Sequence, residues 1–312
     1  MKFACIFGLS TVALTLSGCL GAGSTTGSGA LPAAGSLRSE PPSRIDGALL
    51  YVTGGRNTQI LTYPSAKRVE TFGNGGDLCS DKSGNVYVTR FKGVQVYAHG
   101  ATTPFRTLKM AYDFPVDCSV DPTSGDLAVA VACLSCSTSV VIYRHAKGTP
   151  KAYSAGMLGQ HCGYDNRGNL FVSGNSSGAE FVELPKGGAA FTPISSNPPI
   201  PTDGHIQWDG HFLTVLNPGS HGVTPEIDQV TVSGSTGTIV GSTPLNGTYN
   251  ASSAWIEGDR VVVPFVDAYY GASRIGYWKY PEGGDPEKVL LDRHYRFHGA
   301  NTVAVSEAPD RR

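Results

Sequence analysis

A chain of 312 residues with only 16% charged residues, 40 glycines and 20 prolines is a poor candidate for a helical bundle, because Gly and Pro both damage helix interiors. It shows neither the heptads of a coiled coil nor the G-X-Y period of collagen, and its 40% hydrophobic content supplies a core that a wholly disordered chain lacks. A formal net charge of −1 gives no electrostatic footprint for nucleic acid, which is excluded as a partner.

Residues 1–18 read as a signal peptide. Lys2 precedes an apolar run from Phe3 to Leu16, too short to span a bilayer and built like a signal h-region. The ending Leu16-Ser17-Gly18-Cys19 resembles the bacterial lipobox. That resemblance implies lipidation of Cys19 after cleavage before it, a membrane anchor, and an extracytoplasmic location at the outer membrane where the host has one. Two or three acyl chains, at ~0.8 kcal/mol per buried CH₂, hold a protein stably. Residues 19–47 carry the lipidated Cys and a stretch rich in Gly, Ser, Thr, Ala and Pro without apolar periodicity. This is a flexible tether with a typical reach of roughly 25–30 Å.

A repeat follows. Its clearest copies are Cys79-Ser80-Asp81-Lys82-Ser83-Gly84-Asn85-Val86-Tyr87-Val88, Cys118 to Val129 with Asp121 and Gly125, and Cys162 to Val172 with Asp165 and Gly168. Degenerate copies run Ile206 to Leu213 and Ala254 to Val262. Each is a short strand, a tight turn holding Asp and Gly, and a second apolar strand. Asp can accept from backbone amides in the turn, and Gly takes the positive φ that such hairpins need. An aromatic or apolar strand ending at Pro or Gly follows each hairpin, as in Ile60-Leu61-Thr62-Tyr63-Pro64 and Tyr277-Trp278-Lys279-Tyr280-Pro281. Short fourth strands are expected at 68–72, 105–109 and 288–291. Four strands in about 43 residues is the signature of a propeller blade, so residues 48–306 are read as an all-β, six-bladed β-propeller of four-stranded antiparallel blades. The first repeat begins at Leu49-Leu50-Tyr51-Val52 without an innermost strand, and Gly299 to Val305 matches an innermost strand with no blade of its own. Pairing the two completes blade 1 and removes an open edge. Residues 307–312 are read as a disordered tail.

These hairpins resemble those of NHL-type and related six-bladed propellers, in particular secreted or lipid-anchored bacterial ones with "VDxxGNLYV" copies. The resemblance spans 48–306 and carries fold more strongly than function, since propellers host binders, hydrolases, lyases and scaffolds.

Five cysteines remain after Cys5 leaves with the signal and Cys19 takes lipid, all in an oxidising compartment. Cys133-Leu134-Ser135-Cys136 is a C-x-x-C in a blade 3 loop, and Cys118 and Cys162 occupy equivalent positions in neighbouring innermost strands. A structural disulfide among Cys118, Cys133, Cys136 and Cys162 is the first reading. Buried free thiols are the second, and a redox pair or a zinc knuckle rank below them.

Counting four residues back from each turn Asp or its equivalent gives Asp77, Asp117, His161, His205, Ser253 and Thr302. All six are polar, each opens an apolar innermost strand, and ring symmetry draws them to the mouth of the central channel. They form the candidate ligand-binding set. Asp77, Asp117, His161 and His205 form a candidate site for a divalent metal, since imidazole suits zinc and copper and carboxylate suits calcium or manganese. A polar pocket without metal and a merely solvated channel are the competing readings. Resemblance to gluconolactonase-type propellers and NHL-type lyases implies a metal at such a mouth. The sequence has no Walker-type loop, H-E-x-x-H or dinucleotide fingerprint. The expected role is therefore a monomeric binding module at the cell envelope, meeting a protein, peptide or glycan. The alternative, ranked below it, is a metal-dependent lactonase-like or lyase-like enzyme.

Overall fold

The computed structural model describes residues 45–309 except 56, 74, 113, 134–135, 176–179, 220–222, 252, 267–271 and 298. The signal peptide, Cys19 and most of the tether therefore lie outside the described residues. Blade 1 contains β1 (Leu49–Gly54), β2 (Asn57–Thr62) and β3 (Arg68–Gly73). Blade 2 is β4 (Leu78–Ser80), β5 (Val86–Arg90), β6 (Gly93–Tyr97) and β7 (Arg106–Lys109). Blade 3 is β8 (Pro115–Val120), β9 (Leu127–Val131), β10 (Val140–Tyr143) and β11 (Lys151–Tyr153). Blade 4 is β12 (Leu158–Tyr164), β13 (Leu170–Asn175), β14 (Phe181–Leu184) and β15 (Thr192–Pro193). Blade 5 is β16 (Ile206–Trp208), β17 (Leu213–Asn217), β18 (Glu226–Ser233) and β19 (Thr236–Pro244). Blade 6 is β20 (Trp255–Glu257), β21 (Arg260–Val266), β22 (Ser273–Lys279) and β23 (Lys288–Leu291). A single helical turn, Asp292–Tyr295, leads to β24 (Ala300–Ser306).

The strands form six four-stranded antiparallel sheets, and the sheet of blade 1 runs β24-β1-β2-β3. The last strand thus lies beside the first, with Tyr51 opposite Ala304, Val52 opposite Val303 and Thr53 opposite Thr302. Six apolar clusters each join one blade to the next. Tyr87 and Val96 meet Val129 and Tyr143 between blades 2 and 3. Val262 and Tyr277 meet Leu50 and Val303 between blades 6 and 1. The remaining four clusters complete the ring. This stacking explains why β1 and β9 are buried along their whole length: a strand covered on both faces has no polar side to alternate with. The outermost β3, by contrast, is largely exposed.

The hairpin turns are held by their Asp residues. Asp81 Oδ1 accepts the N–H groups of Ser83 and Asn85, each at 2.9 Å. Asp165 Oδ1 accepts those of Arg167 and Asn169 at 2.9 and 2.8 Å. Gly84 and Gly168 take the positive φ the turns require. Among the described residues, no helix is long and apolar enough to cross a membrane.

Candidate functional site

The innermost strands carry the ring residues, and three of them reach the axis through the same device. Val116, Gln160 and Asn301 each form a bulge against the second strand of their blade. The extra residue re-aims the next side chain, which is Asp117, His161 or Thr302. Blades 2 and 5 have Gly76 and Gly204 at this position. A Cβ there would collide with the carbonyl oxygen of Thr89 or Leu216.

The six ring residues do not meet as one set. Asp117, His161 and His205 converge, each with a ligand-capable atom within 4.8 Å of the others. Asp117 Oδ2 lies 3.4 Å from His161 Nδ1 and 3.6 Å from His205 Nδ1. Two backbone N–H groups fix the carboxylate: Cys118 donates to Oδ1 at 2.8 Å and Cys162 donates to Oδ2 at 3.1 Å. Burial alone would raise the Asp117 pKa, but the two imidazoles outweigh it and hold the carboxyl below the usual range. Asp77 is outside the cluster. Burial, and then the charge of Asp117, push its carboxyl up to about 7 against an opposing pull from His161. Ser253 and Thr302 form a separate pair, with hydroxyl oxygens 3.4 Å apart. The four-residue metal set therefore narrows to three. The ring is also drier than a solvated mouth, since Asp117, His205, Ser253 and Thr302 are all buried.

A cavity of about 850 Å³ lies along the axis. It is bounded by the turns that end the innermost strands, so it lies towards the opposite end of the channel from the ring. Of the six ring residues only His205 lines it. Trp208, Trp255 and Tyr164 contribute aromatic surface. Asp81, Asp121, Asp209, Glu257 and Glu307 contribute carboxyls against a single Lys82. Trp255 Nε1 donates to Glu257 Oε2 at 3.2 Å. Burial pushes Glu257 up to about 7; the indole bond lowers it, and the neighbouring Glu307 carboxyl raises it further. Glu307, read from sequence as tail, thus forms part of the cavity wall, while residues 310–312 lie outside the described residues. The residues four positions before each turn Asp mark the other end of the innermost strands and not this one. The aligned copies held a signal, since blades 5 and 6 place Trp208 and Trp255 in innermost strands where blade 2 has only Leu78, Cys79 and Ser80.

The cysteine expectation holds in part. Cys133 pairs with Cys136 within the expected set, whereas Cys118 pairs with Cys79, which lies outside it. Cys162 is a buried free thiol, and burial, reinforced by the charge of Asp117, raises its pKa well above the ordinary value. The reason is strand parity. Cys118 and Cys162 both stand three residues before their turn Asp, so both point the same way around the ring: Cys118 towards blade 2 and Cys162 towards blade 3. Cys79 stands two residues before Asp81, and successive side chains of a strand face opposite sides. It therefore faces blade 3 and meets Cys118 with a Cα–Cα distance of 5.7 Å.

Together these features define the class: a six-bladed β-propeller closed by its C-terminal strand, with a His-His-Asp cluster in which Asp117 and His205 are buried and His161 is partly exposed, and an acidic, aromatic cavity on one axis. No family model matches the chain, and no curated protein matches it. Solved structures do. A chain of the nidogen/laminin complex superposes with a TM-score of 0.64 at 11% identity, over 85% of this chain and 100% of that one. A protein of unknown function from Bacteroides caccae gives 0.60 at 13% identity, over 84% and 99%. A putative TolB from Agrobacterium tumefaciens gives 0.53 at 13% identity, over 85% and 99%. Similarity at these identities is one of fold.

Proposed function

We propose that the protein is a lipid-anchored, extracytoplasmic binding module of the NHL-like kind, and that its axial cavity receives a cationic segment of an envelope partner. The observation that carries this reading is the cavity wall, with five carboxyl groups against one lysine and two half-buried indoles beside them. Carboxylates attract a cationic ligand through space, and indole faces hold ammonium or guanidinium groups by cation–π contact worth about 0.5–2 kcal/mol each. A propeller also appears within an assembly of proteins in the nidogen/laminin complex, in keeping with a protein partner. The Leu16-Ser17-Gly18-Cys19 ending supports the anchor, and the Gly- and Ser-rich stretch after it supports a tethered disc. The lactonase-like or lyase-like alternative has no observation of its own beyond the His-His-Asp cluster.

Two arms test the proposal. In cells, Cys19→Ala moves the protein from the membrane fraction to the soluble fraction; an unchanged distribution contradicts the anchor. In vitro, an Arg/Lys-rich peptide perturbs the fluorescence of Trp208 and Trp255, an acidic peptide of equal length does not, and added salt weakens the effect. Equal responses to both peptides, or none, contradict the cationic-ligand reading.

A further inference from the structure

The geometry points to a zinc-type metal site formed by Asp117, His161 and His205 at the inner end of the axial cavity. The distances within the cluster are long for direct hydrogen bonds. N–H···O hydrogen bonds cluster near 2.9–3.0 Å, whereas the two imidazole nitrogens stand 3.4 and 3.6 Å from Asp117 Oδ2. His161 Nδ1 is buried and has no hydrogen-bond partner. A buried polar atom left in this way is destabilising, and it faces a carboxylate oxygen across the gap. Around a four-coordinate zinc, with Zn–N of about 2.0–2.1 Å and Zn–O of about 2.0–2.2 Å, neighbouring ligand atoms are separated by about 3.3–3.5 Å. The 3.4 Å spacing falls at that edge length and the 3.6 Å spacing lies about 0.1 Å beyond it.

The surroundings fit as well. Metal-binding carboxylates are oriented by hydrogen bonds from outside the coordination sphere, and Asp117 has two such donors, the N–H groups of Cys118 and Cys162. These come from blades 3 and 4, while His205 comes from blade 5, so the ligands are set by the packing of three consecutive blades. Two imidazoles with one carboxylate select a borderline divalent transition metal over calcium or magnesium, which prefer six or more oxygens. Three protein ligands leave a fourth position for water or a ligand group. His205 also lines the cavity, so the ion lies next to the space a ligand would occupy. The inference does not depend on the cationic-ligand reading, which concerns the carboxyl and indole groups at the other end of the cavity.

The test uses the purified full chain after dialysis against a chelator. Titration with zinc, followed by elemental analysis, is expected to show one ion per chain, and cobalt(II) is expected to give the intense visible absorption of a four-coordinate site. His161→Ala and His205→Ala are each expected to lower zinc affinity by about ten-fold or more. Ser253→Ala, equally axial but outside the cluster, leaves it unchanged. Circular dichroism establishes that each variant is folded, and His161→Gln replaces any alanine variant that is not. No retained zinc, a weak octahedral cobalt spectrum, or zinc binding unaffected by both histidine substitutions overturns the assignment. Peptide titrations in the absence of metal read the cavity proposal separately.

Discussion

The backbone N–H of Cys162 in blade 4 donates to Asp117 Oδ2 in blade 3 at 3.1 Å, so one buried carboxylate holds two innermost strands together at the axis. The same group accepts the N–H of Cys118 at 2.8 Å. Asp117→Ala leaves two buried donors unsatisfied and is expected to cost about 2–4 kcal/mol. Asp117→Asn, which keeps one acceptor oxygen, is expected to cost less. The urea midpoints of the two variants check the order, and an alanine variant as stable as the parent contradicts it.

The Cys79–Cys118 bridge staples blade 2 to blade 3 across a sequence separation of 39. Its loss in Cys79→Ser is expected to destabilise the fold by about 2–4 kcal/mol. Peptide mapping after maleimide treatment without reductant is expected to find Cys162 labelled in denaturant and unlabelled in the native protein, because that thiol is fully buried. Native labelling of Cys162 contradicts its burial, and labelling of Cys118 in the denatured chain contradicts the pairing.

Much of the fold is legible in the sequence because its information is local. The Asp and Gly of each hairpin encode their own turn, and the turns set the repeat. Counting from the turn Asp also finds Asp117, His161 and His205. The sequence does not reveal which ring members meet. That depends on the bulges at Val116 and Gln160 and on how blades stack, and neither has a residue signature. The disulfide shows the same limit: equivalent positions place Cys118 in one candidate set with Cys133, Cys136 and Cys162, while side-chain parity pairs it with Cys79. Trp208, Trp255 and Glu257 carry little sequence signal because they sit in the two most degenerate copies, where a departure from the repeat reads as decay.

The Glu257 carboxyl, raised from 4.5 to about 7 chiefly by burial, makes stability depend on pH. Between these values the folded chain holds a proton that the unfolded chain has released, so stability falls as pH rises through that window. Glu257→Gln removes the cost of ionisation while keeping an acceptor for Trp255. The variant is expected to match the parent below pH 4.5 and to exceed it above pH 7, by on the order of 1–2 kcal/mol after allowing for solvent screening. Urea unfolding at the two pH extremes measures the difference; an equal offset at both contradicts the assignment.

Every site residue reaches the axis only because β24 closes the ring against β1. Native-state hydrogen exchange across residues 300–306 tests that closure most directly. The account predicts that this segment exchanges as slowly as the fully buried β9 of blade 3 and becomes fast only on global unfolding. Exchange of this segment at the rate of the exposed hairpin turns, while β9 stays protected, would contradict it.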